Sequence, residues 1–178
     1  MEHKYRAVLW KNFAASIDML TNVIELCPDA VWEKKDKFFY MAYHTVIFLD
    51  YYLTYPVKAF DPKLPFTIVP DSELPPAAVD DVMPNRHYSR EEMVAYIDLA
   101  RKKCEAFIGP DASQDLMVQW IKRSEIGLHG LCPSVVEHYT VLEMLFYNFR
   151  HVQHHVAQLN YILRSEADLA ADWISQAE

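Results

Sequence analysis

One stretch of the chain decides the fold, and it runs from Ser134 to Arg164 as SVVEHYTVLEMLFYNFRHVQHHVAQLNYILR. It contains roughly thirty residues without an internal proline or glycine, so nothing in it interrupts a helix. At about 1.5 Å per residue, a helix of this length extends about 45 Å. We therefore expect one long helix that spans a helical domain from end to end.

Polar residues form part of the inner face of this helix. At about 100° per residue, His155 lies only about 40° from His151 and one turn further along. Gln158 and Asn148 fall on the same face, which apolar residues continue in both directions: Val141, Met144 and Ile162. A buried polar side chain without a partner costs roughly 1 to 3 kcal/mol. These side chains therefore need partners inside the protein, and one metal ion can satisfy several of them.

A third histidine lies on the inner face of another predicted helix. This second long helix is expected from about Asp36 to Tyr55, because apolar residues recur there at spacings of three and four and Pro56 prevents continuation. His44 lies within that apolar stripe. Histidines at i and i+4, together with a third imidazole from a facing helix, make a three-histidine metal site. We predict His44, His151 and His155 as metal ligands; hydrogen-bonded core histidines without a metal are the alternative.

Other polar residues near this face have roles that the sequence leaves open. His154 lies about 60° from His151 on the other side of the stripe, so it is an alternative ligand, a residue that orients a ligand, or a surface residue. Asn148 and Gln158 are expected either to orient bound water or to form hydrogen bonds in the core. Three further histidines fall outside the stripe and are expected at the surface: His87, His129 and His138.

The remaining long helices complete a bundle. The first runs from about Tyr5 to Cys27, and the third opens with the capping-box sequence Ser89-Arg90-Glu91-Glu92. Gly109-Pro110 ends the third helix, since glycine tolerates the left-handed conformation at a helix end and proline blocks propagation. Four long helices predict an all-α four-helix bundle, which forms a single domain over residues 1–178.

The segments outside the long helices include a proline-rich connection. Residues 56–88 contain seven of the ten prolines, which excludes a regular helix between the second and third long helices. We expect a long extended connection that either packs over a functional opening or forms a disordered surface loop. Two short helices are expected elsewhere, one from about Leu116 to Lys122 and one at the C-terminal end from about Glu166 to Gln176.

The composition argues against several partners and compartments. With 17 basic and 25 acidic residues, the formal net charge of −8 repels nucleic acids and anionic membranes. Cys27, Cys104 and Cys132 are widely spaced and form no CxxC pair, so they predict reduced thiols. The first residues are charged and lack the apolar segment of a signal peptide or a membrane span. We therefore expect a cytoplasmic protein that binds neither nucleic acid nor membranes.

Other metal and catalytic motifs do not occur in the sequence. A di-iron bundle requires Glu-x-x-His pairs, but Asn148 stands where the glutamate would precede His151. A zinc protease of the HExxH type requires a glutamate after the first histidine, and Val152 occupies that position. There is no GxSxG elbow, Walker loop or dinucleotide fingerprint. No residue can be assigned from the sequence as a catalytic acid, base or nucleophile.

Two features of the sequence resemble the DinB/YfiT-like metalloprotein superfamily: the pattern HxxHHxxQ over residues 151–158, and a lone histidine in YMAYHTVIFLDYYL over residues 40–53. The resemblance covers most of the chain in length, helix order and the long connection. It implies an up-up-down-down bundle, often dimeric, whose second-helix histidine and HxxxH pair hold a divalent ion. Here those ligands are His44, His151 and His155. Ala157 departs from the pattern, since many relatives have glycine there, but removes no ligand.

The resemblance implies two kinds of function. Some members of the superfamily are transferases that use a low-molecular-weight thiol, and others are linked to stress responses. We therefore expect a homodimeric, metal-dependent transferase or hydrolase that acts on a small molecule. The alternative is a non-catalytic stress-associated or small-molecule-binding protein with a structural ion or none. Zinc and nickel are the first candidates for the ion, followed by iron and manganese, because neutral imidazoles accept all four.

Overall fold

The computed structural model describes residues 2–177, so Met1 and Glu178 of the predicted single domain lie outside the described residues. The described part contains five α-helices: α1 Glu2–Glu25, α2 Asp29–Trp32, α3 Asp36–Tyr52, α4 Arg90–Ile108 and α5 Val141–Ala167. It also contains two short strands, β1 Phe66–Ile68 and β2 Val82–Pro84. The fold is mostly helical, which is compatible with the predicted all-α class, although the small sheet was not predicted.

The helix α3 lies at the centre of the packing. It contacts α4, α5 and β2, while α1 packs against α4 and α5. From Phe38 to Tyr52, every residue of α3 is buried except Tyr40, which is half-buried. Its neighbours cover different sides of the helix, so a polar residue on α3 lies in the protein interior whichever way it points. This is the setting of His44.

The start of α5 differs from the prediction. Ser134–Val136 form only a short 3₁₀ turn, and the α-helix begins at Val141. A capping box forms at Thr140, whose hydroxyl accepts a hydrogen bond from Glu143 N at 3.2 Å. In return the Glu143 carboxylate accepts one from Thr140 N at 2.8 Å. Two amide groups at the N-terminus of α5 are thereby satisfied.

Replacing the capping threonine tests this helix start. We expect Thr140→Ala to lower the free energy of unfolding by about 1 kcal/mol, because the amide of Glu143 loses its acceptor. Chemical denaturation followed by circular dichroism measures the change. As a control, Ser134→Ala removes a hydroxyl at the start predicted from the sequence and should change stability by less than about 0.5 kcal/mol. The opposite ranking of the two variants would contradict the start at Val141.

The third predicted long helix is confirmed and corresponds to α4. Its N-terminus carries the predicted capping box of Ser89 and Glu92. Gly109 follows its last residue, as predicted, but the φ of Gly109 is −58°, so the expected left-handed conformation is wrong. A Cβ at this position would collide with the carbonyl oxygen of Glu105. Glycine is required here by a close approach to the helix and not by a left-handed backbone.

The predicted short helix at residues 116–122 is wrong. This segment consists of turns and bends, and Gln119 pairs with Thr140 just before α5. Trp120 N donates to Tyr139 O, and Val118 O accepts from Val141 N, both at 2.9 Å. The backbone groups of the segment therefore find partners across the chain, which replaces the hydrogen bonds that a local helix would have made.

The predicted C-terminal helix at residues 166–176 is also wrong. The helix α5 continues to Ala167 and ends at Asp168, which has a left-handed backbone with φ of 54°. The residues that follow are not helical, and they return along α1, where Ala177 N donates to Lys11 O at 3.0 Å. The end of the described chain is thus held by a tertiary hydrogen bond.

The proline-rich connection packs on α3. It contains β1 and β2, which pair antiparallel with Thr67 opposite Met83, and β2 contacts α3. The Tyr43 hydroxyl on α3 lies at hydrogen-bond distance from two carbonyl oxygens of the connection, 3.0 Å from Leu64 O and 2.9 Å from Pro65 O. Of the two alternatives that the sequence leaves open, the packed connection is the one the structure shows.

The cysteines agree with the prediction of reduced thiols. Cys27 and Cys104 are buried, Cys132 is half-buried, and all three are unpaired. Burial raises the pKa of Cys27 to about 12 and that of Cys132 to about 11, so these thiols are protonated at neutral pH.

Among the described residues, no helix combines the length and apolar character needed to cross a membrane.

Candidate metal centre

Three histidines meet between α3 and α5. His44 lies in the middle of α3, while His151 and His155 stand one turn apart on α5. His151 Nε2 lies 2.9 Å from His44 Nε2 and 3.1 Å from His155 Nε2. One ring nitrogen from each residue lies within 4.8 Å of the other two. The structure therefore brings the predicted ligand set close enough to bind one metal ion.

The spacing of these nitrogens fits a single ion. Two nitrogens bonded to a tetrahedral ion at about 2.0–2.1 Å lie about 3.3 Å apart. The separations of 2.9 and 3.1 Å from His151 Nε2 differ from this value by a few tenths of an ångström, and all three ligand atoms lie within 4.8 Å of one another, so small side-chain rotations bring them around one ion. Three imidazoles are also a donor set that borderline divalent ions accept. The residues present therefore fit a divalent metal ion.

Hydrogen bonds outside the cluster direct lone pairs toward its centre. His44 Nδ1 lies 2.8 Å from Asp80 Oδ2, and His155 Nδ1 lies 2.7 Å from Gln158 Oε1. Each contact is a hydrogen bond when the ring nitrogen carries the proton, which leaves Nε2 of a neutral ring as a lone pair. His151 Nε2 lies near both lone pairs and can offer one N–H to only one of them. With all three rings neutral, protons alone cannot satisfy the cluster.

Burial keeps two of the rings in their neutral form. Burial, followed by the neighbouring His44 and His155, lowers the pKa of His151 to about 2. Burial is also the largest cause that lowers the pKa of His155 to about 4, followed by His44, while the hydrogen bond to Gln158 acts in the opposite direction. Both imidazoles are therefore neutral at pH 7, which is the form that binds a metal.

An aspartate of the connection also reaches the cluster. Asp80 precedes β2, and while its Oδ2 faces His44, its Oδ1 accepts a hydrogen bond from Val82 N at 3.1 Å. Its side chain is 26% exposed, against 11% for that of His44, so the carboxylate lies nearer to solvent than the ring does. Sequence reasoning missed Asp80 because no spacing rule relates a loop aspartate to a histidine 36 residues earlier on a helix.

Aromatic rings pack against the histidines. The Phe48 ring centroid lies 4.6 Å from that of His44 and 5.9 Å from that of His151, and the Tyr52 ring lies 5.9 Å from His151. Both His44 and His155 are buried as whole residues. These rings limit the access of water, and electrostatic interactions are stronger in such an environment than in bulk solvent.

The polar residues with open roles occupy different places. Gln158 contacts His155, so it orients a ring of the cluster. Asn148 ties the two helices together instead, because its Nδ2 donates to Leu49 O at 3.0 Å. His154 is exposed and does not belong to the cluster. Among these three residues, Gln158 alone contacts a predicted ligand through a hydrogen bond of its side chain.

The histidines outside the stripe take no part in the cluster. His87 and His138 are exposed, as predicted, and the ring of His87 stacks on Phe39 with centroids 3.9 Å apart. The prediction is wrong for His129, which is half-buried with its Nε2 3.2 Å from Val57 O. This contact joins the loop before α5 to the start of the proline-rich connection.

Comparison of the chain with family models, with curated proteins and with solved structures finds no match. The likeness to the DinB/YfiT-like superfamily therefore stays a prediction that rests on the motifs at residues 40–53 and 151–158. What can be said of function depends on the geometry of the histidine cluster and on its surroundings.

Removing one histidine should abolish stoichiometric metal binding. We expect His44→Ala and His155→Ala each to hold far less than about one ion per chain, because two imidazoles bind a divalent ion more weakly than three. Elemental analysis of protein purified without a nickel column and then dialysed measures the content.

The matched control for these variants is His154→Ala, which removes an exposed imidazole from the same helix. It should retain the metal content of the wild-type protein. Circular dichroism establishes that each variant is folded. Full metal content in both ligand variants would refute the assignment of His44 and His155.

Proposed function

We propose that this protein binds a divalent metal ion through His44, His151 and His155, and that it is a four-helix bundle of the DinB/YfiT-like kind. The bundle is supported by four long helices in which α3 packs against α4 and α5, and α1 packs against the same two helices. A long connection after the second of these helices agrees with the same arrangement. Zinc and nickel remain the first candidates for the ion, with iron and manganese next.

The observation that carries this proposal is the convergence of three Nε2 atoms in a buried space. His151 Nε2 lies within 3.1 Å of both other Nε2 atoms, and the opposite nitrogens of His44 and His155 already contact Asp80 and Gln158. A cluster of core histidines without a metal would pair each donor with one acceptor. Here the acceptors outnumber the donors at the centre, which favours a cation.

We further propose that the protein is an enzyme, a metal-dependent transferase or hydrolase that acts on a small molecule. Three protein ligands are typical of catalytic zinc sites, whereas closed structural sites have four. A bound divalent ion supplies Lewis acidity that lowers the pKa of a coordinated water or thiol. Phe48 and Tyr52 limit bulk water around the rings, and Asp80 lies toward solvent at the edge of the site.

A thiol in this chemistry would have to come from a separate molecule. The pKa values of Cys27 and Cys132 are raised to about 12 and about 11, so neither is a thiolate at neutral pH. Burial raises the pKa of Cys104 as well. This argues against a nucleophilic cysteine of the chain itself, so we propose that any thiol in the reaction is a separate low-molecular-weight molecule.

A non-catalytic protein with a structural ion is the second candidate. The observation that favours it is the engagement of Asp80, the carboxylate in contact with the cluster, by both His44 and Val82 N. A carboxylate held in this way is a poor general base, because its oxygens already accept hydrogen bonds. A protein that only stores or senses a small molecule needs no such base.

Cobalt substitution distinguishes the two candidates. We expect the Co²⁺-loaded protein to change its visible absorption spectrum when 2-mercaptoethanol or azide is added, because a site with three protein ligands accepts a further ligand. The His155→Ala variant, treated in the same way, should show neither the protein-bound Co²⁺ spectrum nor the change. A four-coordinate spectrum that neither compound alters would overturn the enzyme and favour a structural ion.

Several expectations about partners and location stay predictions. These are the homodimer, the cytoplasmic location and the absence of nucleic-acid and membrane binding. The expected absence of nucleic-acid binding and of membrane binding follows from the net charge of −8 and has no further support in the geometry of a single chain.

A further inference from the structure

We propose that Asp80 is a positioning residue that fixes the tautomer of His44 and so turns the His44 Nε2 lone pair toward the centre of the cluster. The inference rests on the proposed metal site and deepens it. Asp80 would orient the His44 lone pair for a cation before any cation binds. Asp80 itself contacts Nδ1, the nitrogen of His44 that faces away from the cluster.

The chemistry of the contact determines where the proton resides. Asp80 Oδ2 lies 2.8 Å from His44 Nδ1. An ionised carboxylate can only accept a hydrogen bond, so His44 Nδ1 must carry the proton. In a neutral imidazole the other nitrogen then has a free lone pair. That nitrogen is Nε2, which lies 2.9 Å from His151 Nε2.

The other two histidines lack a partner with this property. Gln158 faces His155 Nδ1, but an amide can present either its oxygen or its NH₂ group, so it accepts or donates as the ring requires. His151 Nδ1 is buried and has no hydrogen-bond partner among the described residues. Asp80 is therefore the residue that selects one proton arrangement, and the two other rings adjust to it.

Asp80 is itself held rigidly against α3. Its Oδ1 accepts a hydrogen bond from Val82 N at 3.1 Å, and the adjacent Asp81 O accepts one from Val69 N at 2.9 Å across the two-stranded sheet. The sheet is tied to α3 near Pro65, where the hydroxyl of Tyr43 reaches the connection. The carboxylate is thus anchored to the same helix that carries His44, which keeps the contact in register.

The charge of Asp80 adds to its effect on orientation. A carboxylate hydrogen-bonded to a metal-binding imidazole makes the ring a stronger base, and loss of such a partner lowers metal affinity 10- to 100-fold. Three neutral imidazoles alone carry no charge to offset a divalent ion. Asp80 supplies one negative charge directly behind a ligand, so its removal should weaken binding more than the removal of neutral Gln158.

Two variants separate the effect of the negative charge of Asp80 from the effect of its oxygen as a hydrogen-bond acceptor for His44 Nδ1. Asp80→Asn keeps an oxygen that can accept from Nδ1 but loses the charge, whereas Asp80→Ala loses both. Long-range ¹⁵N–¹H NMR of the metal-free protein at pH 8 reports which nitrogen of His44 carries the proton. Zinc affinity is measured by competition with a chelator. The control Asp81→Asn removes the same charge one residue away.

We expect His44 to be protonated at Nδ1 in the wild-type protein and in Asp81→Asn, with unchanged zinc affinity in the latter. Asp80→Ala should shift the proton of His44 toward Nε2 and weaken zinc binding at least 10-fold. Asp80→Asn should fall between the wild-type protein and Asp80→Ala in both measurements. A loss of affinity with an unchanged tautomer would overturn the positioning role, as would unchanged values in both variants.

Failure of this inference is distinguishable from failure of the metal site. If the wild-type protein binds zinc through its histidines but the tautomer does not respond to Asp80, the inference fails and the metal site stands. If the wild-type protein binds no zinc, the proposed function fails, and the tautomer measurement still decides whether Asp80 orients His44. Circular dichroism and the amide spectrum of β1 and β2 show whether each variant keeps the fold.

Discussion

The site depends on a conflict among three imidazole rings. His151 Nε2 lies within hydrogen-bond distance of the Nε2 atoms of both His44 and His155, and Phe48 and Tyr52 pack against these rings. Water has little access to these Nε2 atoms, and a buried polar atom without a hydrogen-bond partner costs roughly 1 to 3 kcal/mol. A cation relieves the conflict, because every Nε2 can then present a lone pair. In the proposed metal site, these contacts would be replaced by bonds to the ion.

The contacts among the three rings persist only if α3 does not shift along its neighbours. Asp50 near the end of α3 is buried and accepts hydrogen bonds from Lys103 Nζ at 2.5 Å and from Tyr96 OH at 2.6 Å, both on α4. Removal of one partner from a buried ion pair leaves an uncompensated charge, so this contact holds α3 and α4 in one register. Asn148 does the same between α5 and Leu49 of α3.

The ligand set could be predicted because it depends on local spacing. His151 and His155 share a face in any α-helix, and His44 lies in an apolar stripe whose burial follows from the same periodicity. The capping box at Ser89 could be predicted for the same reason. Asp80 could not, because its place next to His44 depends on how the proline-rich connection folds back on α3.

The errors in the helix boundaries have the same origin. Residues 116–122 contain helix-forming residues, but their backbone pairs with the segment before α5, and this long-range pairing overrides local preference. Near Thr140 the sequence contains two hydroxyl residues that can cap a helix, Ser134 and Thr140. A glutamate follows each of them by three residues, Glu137 and Glu143, so the capping-box pattern does not distinguish the two positions. In the structure the box forms at Thr140, while Ser134 opens only a 3₁₀ turn.

The same contacts bear on whether a bound ion would have a closed or an open coordination sphere. Among the side chains that the structure describes, the group able to share one ion consists of three histidines, so a fourth protein ligand would have to move in. Asp80 is the nearest carboxylate in contact with the group, but it would have to leave both His44 and Val82 N. That exchange would give up the hydrogen bonds that orient His44 and start β2. In the proposed site the described residues therefore supply three protein ligands, the number found in catalytic zinc sites.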